Sequence, residues 1–261
     1  MQFEMARVAY FDASGSPDDS TAVSVGGLLS TPEKWLSFTK EWEGCLEAFG
    51  VSSLHMSQYA HSTGEFAAWK NDEPRRRRFL SGLMYAIEHH IEYTVAAAVW
   101  MTAYRRIDQT YRLSDFMKPY TLAACTCLSL LLNWAKNGGF AANELSYIFE
   151  KGDNDQSDLA RCCTSLFASH NITPGFLKKT DIRLPSEIPA PIRQFEAADL
   201  IAYESRKANM IVEENSGSAF LDEIRKPALR LSQLPGGSDW MTFDSADLVK
   251  TCNEFGVPRR D

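Results

Sequence analysis

The chain has 261 residues, 44% of them hydrophobic and 23% charged. That is enough to bury a real core in one large domain or two small ones, and it sets aside disordered, collagen-like and low-complexity chains. With 27 basic against 34 acidic residues the net charge is -7, which argues against coating nucleic acid through a general basic field and leaves a local basic groove as the route to such a partner. The longest near-apolar stretch, Thr121 to Ala135, is interrupted by Thr126, Ser129 and Asn133 and is shorter than the roughly 20 residues of a membrane span, so no membrane partner is expected. The N-terminal MQFEMARVAYFDASG lacks a basic start followed by an apolar signal core, and the six cysteines form no C-x-x-C pair, so the reading is a reduced, cytoplasmic chain.

Arg7 to Asp12 alternates, with Val8, Tyr10 and Asp12 on one face and Ala9 and Phe11 on the other, and reads as a strand ending at Asp12-Ala13-Ser14-Gly15. Thr21 to Leu29 is a second strand, close enough to pair with it as an antiparallel hairpin across the loop from Gly15 to Ser20. Thr31-Pro32-Glu33 supplies a cap, a first-turn proline and an early acid for a helix through Trp35, Phe38, Trp42 and Leu46. Asp72-Glu73-Pro74 opens another, with the apolar stripe Phe79, Leu80, Leu83, Met84 and Ile87. A third strand over Ile91 to Met101 precedes a long apolar helix centred on 116–136 that stops at Asn137-Gly138-Gly139.

Leu145 to Glu150 is a short apolar run ending in an acid, followed by a turn and a helix from about Asp155 to Ser169. Gly175 to Lys179 is a fifth, shorter strand, and a helix from about Ile192 to Glu213 follows the loop holding Pro185, Pro189 and Pro191. The tail after Pro235-Gly236-Gly237 carries Trp240, Met241 and Phe243 and is expected to pack onto the body. The alternation predicts an α/β fold, a mixed sheet of about five strands with helices on both faces, in a single domain over residues 1–261 with helical insertions and a C-terminal helical extension.

Asp12 closes the first strand and Glu150 the fourth, at the strand ends where α/β sheets bind ligands. On the last helix Glu196, Asp199, Tyr203 and Arg206 share one face, and a carboxylate within AADLIAY is costly to bury unless it is paired or binds a metal. A cluster of carboxylate oxygens suits magnesium or manganese, and two such ions about 3.5–4 Å apart serve phosphodiester hydrolysis. Acids at strand ends and on helices are also commonly caps or surface charges.

The strings YFDASG, VGGLL, LHMS, YIFEKGD and FEAADLIAYE resemble the bacterial domain-of-unknown-function family 3800, which is similar to the ribonuclease-H-like superfamily. The resemblance covers roughly residues 5 to 210 and lies in the order of the short motifs. It implies a ribonuclease-H-like fold with Asp12, Glu150 and Asp199 where nucleases and transposases of that superfamily hold metal. The family carries Asp-Glu where this chain has Asp12-Ala13, and Gln-x-x-Asp where it has Glu196-Ala197-Ala198-Asp199. One acid is lost and another gained, so Glu196 is expected as a compensating fourth ligand beside Asp199.

His55 in LHMSQ is a candidate to position a phosphate or water, and a hydrogen-bonded structural histidine is the competing reading. Lys178, Lys179 and Arg183 are placed to meet a phosphate if their edge lines the cleft. Asp153 reads as a cap more than a ligand, Arg75 to Arg78 encircle their helix instead of striping it, and the rings of His89 and His90 diverge. No G-x-S-x-G elbow, G-x-x-x-x-G-K-[ST] loop or G-x-G-x-x-G turn occurs. Two functions follow as expectations: a magnesium- or manganese-dependent nuclease acting on RNA or DNA, or a catalytically degenerate binding or scaffold module of a mobile-element or defence locus.

Overall fold

A computed structural model of the chain describes residues 7–18, 21–152, 155–179, 182–183, 189–214, 226–234 and 236–260, with the side chains of 182–183, 189–190 and 213–214 left out. Asp153, Pro185 and the side chain of Arg183 therefore lie outside the described residues. The opening hairpin forms as its alternation requires: β1 (Arg7–Ser14) runs antiparallel to β2 (Ala22–Ser30), and Asp12 pairs with Gly26. α1 (Pro32–Phe49) starts where the sequence marks it, with the Thr31 side chain accepting from the Lys34 amide, and ends at Gly50 in the left-handed region (φ 70). A short helix, α2 (Met56–His61), and a 3-10 turn, Gly64–Trp69, lead into α3 (Glu73–His90), capped by Asp72.

β3 (Tyr93–Trp100) gives way to α4 (Met101–Asp108), α5 (Leu113–Phe116) and the apolar α6 (Pro119–Asn137). β4 (Leu145–Glu150), α7 (Gln156–Leu166) and β5 (Gly175–Leu177) follow, then a two-residue ladder of β6 (Ile182–Arg183) with β7 (Pro189–Ala190). The chain closes with α8 (Arg193–Glu214), α9 (Lys226–Leu231), β8 (Ser238–Phe243) and α10 (Ser245–Glu254).

The main sheet has six strands in the order β5-β4-β1-β2-β3-β8, one more than the expected five, and only β2 runs against the others. Each face carries its own core. Ala9, Phe11, Val25 and Val95 pack against α6 on one side, while Leu28, Ala96 and the Trp35, Phe38 and Trp42 row of α1 pack with α3 and α8 on the other. The fold is therefore α/β, with helices on both faces of a mixed sheet. Among the described residues no helix is long and apolar enough to cross a membrane.

Two adjacent glycines set the spacing of these layers. A Cβ on Gly26 would stand 2.4 Å from the Ala202 amide nitrogen, and one on Gly27 would stand 2.3 Å from the Phe11 ring. Gly26 thus lets the α8 backbone lie directly on β2 on one face, and Gly27 makes room for an aromatic ring on the other.

Candidate functional site: a carboxylate cluster bridged by lysine

Strand register brings the first two acids together. Phe11 pairs with Phe149 in the parallel β1–β4 ladder and their rings stack at 4.4 Å, so the next residues, Asp12 and Glu150, stand side by side on the opposite face, under α8. Glu150 in turn pairs with Leu177 of β5, which puts Lys179, two residues further on, over the same face. Its ammonium nitrogen lies 3.2 Å from Asp12 Oδ2 and 3.1 Å from Glu150 Oε2. The other Asp12 oxygen accepts the Ala13 amide at 2.7 Å. Asp12 is only 6% exposed.

Asp199 arrives from above. With α8 pressed onto Gly26 at Ala202, the turn before it hangs over Asp12, and Asp199 Oδ2 accepts the Met56 amide at 2.9 Å. One turn earlier Glu196, 3% exposed, accepts from Trp42 Nε1 at 2.8 Å and the Leu54 amide at 3.0 Å through one oxygen, and from Arg193 at 2.6 Å through the other. Two carboxylates of α8 thereby hold Leu54 and Met56 on either side of the half-buried His55, so the LHMS segment is fastened to the FEAAD segment.

The electrostatics follow from burial and crowding. Burial first, then the neighbouring Asp12, push the Glu150 carboxyl up to about 8, against the pull of Lys179. Asp199 is raised to about 7 by burial and by Asp12, with Lys179 and the Met56 amide opposing. Burial pulls the Lys179 ammonium down, but Asp12, Asp199 and Glu150 together outweigh it and hold the proton more firmly. Lys179 bridges Asp12 and Glu150 and acts on Asp199 through its charge alone. Arg206 stands further along the α8 face and donates to Ser14 Oγ at 3.0 Å.

The structure thus assembles Asp12, Glu150, Asp199 and Lys179, while His55 lies between the two residues whose amides Glu196 and Asp199 hold and is within electrostatic reach of Glu65. Glu196 is engaged with other partners: one oxygen accepts from Trp42 and Leu54 and the other from Arg193. Lys179 faces the acids, while the neighbouring Lys178 is exposed. Among the described residues no group of three or more Asp, Glu, His or Cys side chains stands in an arrangement that holds a metal ion. All six cysteines are free. Cavities of about 600 and 550 Å³ lie elsewhere, one lined by Tyr59, Arg76 and Met84, the other by Leu132, Phe140 and Phe167.

Ala13 packs on the α6 side of the sheet, so a carboxylate at that position would point away from Asp199. Nothing in the sequence marked the Trp42–Glu196 bond, which joins residues 154 positions apart.

Comparisons with known protein families, with curated proteins and with solved structures find no match.

Proposed function

We propose that the chain is a divalent-metal-dependent phosphodiesterase of ribonuclease-H-like fold, akin to domain-of-unknown-function family 3800, that hydrolyses RNA or DNA in the cytoplasm. The observation that carries the reading is the convergence of Asp12, Glu150 and Asp199, from three distant segments, at the carboxyl ends of β1 and β4. Burying three carboxyl groups beside a single ammonium makes Glu150 and Asp199 hold their protons more firmly, and a divalent cation is what can take the place of those protons. The oxygen-only donors fit magnesium or manganese, although the present side-chain positions, spread by Lys179, are not those of a closed coordination shell.

In this reading Asp12, Glu150 and Asp199 hold the ion, which when bound activates water and stabilises the leaving oxygen. Glu196 is a positioning residue that fixes the segment carrying His55 against α8. His55 and Lys178 are assigned to the phosphate backbone of the substrate. The second reading, a non-catalytic binding module, draws on the pairing of Asp12 and Glu150 with Lys179.

Cleavage of end-labelled single- and double-stranded RNA and DNA in Mn²⁺ separates the two. The enzyme reading expects cleavage by the wild-type chain and a loss of at least about a hundredfold in Asp12→Asn and Asp199→Asn. Nucleic-acid binding without cleavage, at equal strength in all three, would establish the module.

A further inference from the structure

We propose that Lys179 is a resident cation that a divalent ion must displace, its side chain swinging out from between Asp12 and Glu150 toward the substrate phosphates when the ion enters. The inference rests on the metal-dependent reading of the site and adds to it a device that keeps the site closed. Geometry supplies the first argument. The ammonium contacts Asp12 Oδ2 at 3.2 Å and Glu150 Oε2 at 3.1 Å, and an ion ligated by the same two oxygens, at roughly 2.1 Å from each, would need that space. Two cations cannot share it.

Charge gives the second. A divalent ion brings one more positive charge than the ammonium to a crowded carboxyl cluster, so the exchange relieves it. Connectivity gives the third. Lys179 follows the end of β5, and its carbonyl accepts the Ile192 amide at 2.7 Å. Its backbone is therefore pinned, and the four-carbon side chain, 24% exposed, is the part with room to leave.

Calorimetric titration of the full chain with MnCl₂ tests the exchange. Lys179→Met should bind Mn²⁺ at least about tenfold more tightly than wild type, while Lys179→Arg, which keeps the charge, should stay within about threefold. Equal affinity in wild type and Lys179→Met would overturn the displacement and leave the metal reading standing; no Mn²⁺ binding by any of the three would overturn both. A wild-type experiment covers a failure of the variant to fold. Reductive methylation followed by mass spectrometry should label Lys179 several-fold faster with Mg²⁺ than without, with exposed Lys250 unchanged. Labelling of Lys179 that stays flat or slows would sink the proposal.

Discussion

Glu196 and Asp199 lie one helical turn apart on the same face, yet their neighbours give them different work. Glu196 satisfies the Trp42 indole, the Leu54 amide and the Arg193 guanidinium. Replacing it by glutamine keeps the shape and an acceptor but leaves Arg193 with less charge to pair, so Glu196→Gln should cost about 1–3 kcal/mol in urea unfolding. Its Mn²⁺ affinity should match wild type; a tenfold loss would return Glu196 to the ligands. Glu150 and Asp199 predict a pH effect. Their ordinary values of 4.5 and 3.8 rise in the folded chain to about 8 and about 7. Between those limits the folded state binds more protons than the unfolded one, so stability is highest at the acid end and falls as pH rises through the window. In chelator-treated buffer the denaturant midpoint should drop from pH 5.5 to 8 as the unfolding free energy falls by on the order of a few kcal/mol, and Glu150→Gln should flatten the slope.

At the scale of elements, α8 is the part that makes a site out of separate acids. Its closeness to β2 depends on Gly26 having no side chain, because an added Cβ would meet the Ala202 backbone at 2.4 Å and a backbone cannot rotate aside. Gly26→Ala should lift α8, destabilise the chain by about 1–3 kcal/mol and weaken Mn²⁺ binding about tenfold by drawing Asp199 off Asp12. Gly44→Ala is the control: nothing lies within 4 Å of its added Cβ on α1, and the change should stabilise by up to about 1 kcal/mol. Circular dichroism melts and Mn²⁺ titration of both variants check the pair.

The whole molecule depends on its last segment more than its composition suggests. β8 pairs in parallel with β3 from Thr94 to Val99, and Phe243, Leu248, Cys252 and Val257 fill the core on the α6 side. Removing residues 236–261 would expose the β3 edge and open that core. The truncated chain should be aggregated or expanded by size-exclusion chromatography, whereas a monodisperse, cooperatively melting product would show the segment to be dispensable.

How much of this was legible follows the range of the interactions. The α1 and α3 starts were readable because Thr31 and Asp72 cap the amides three residues on, and β1 and β4 because alternation and apolar runs are local patterns. Asp12, Glu150 and Asp199 stood out for the same reason, each being an acid at the end or in the middle of a recognisable element. α2, α4 and β8 escaped because they are short and take their stability from the body they pack on; β8 in particular is an edge strand whose burial alternates while its sequence, with Trp240 and Met241 adjacent, does not. Sequence by itself determined the longer elements, the α/β class and which acids could meet. Only the tertiary structure decided that Glu196 is held by Trp42 and that Lys179 stands between Asp12 and Glu150, because both depend on partners dozens to hundreds of residues away, brought together by strand register and by the contact of α8 with Gly26.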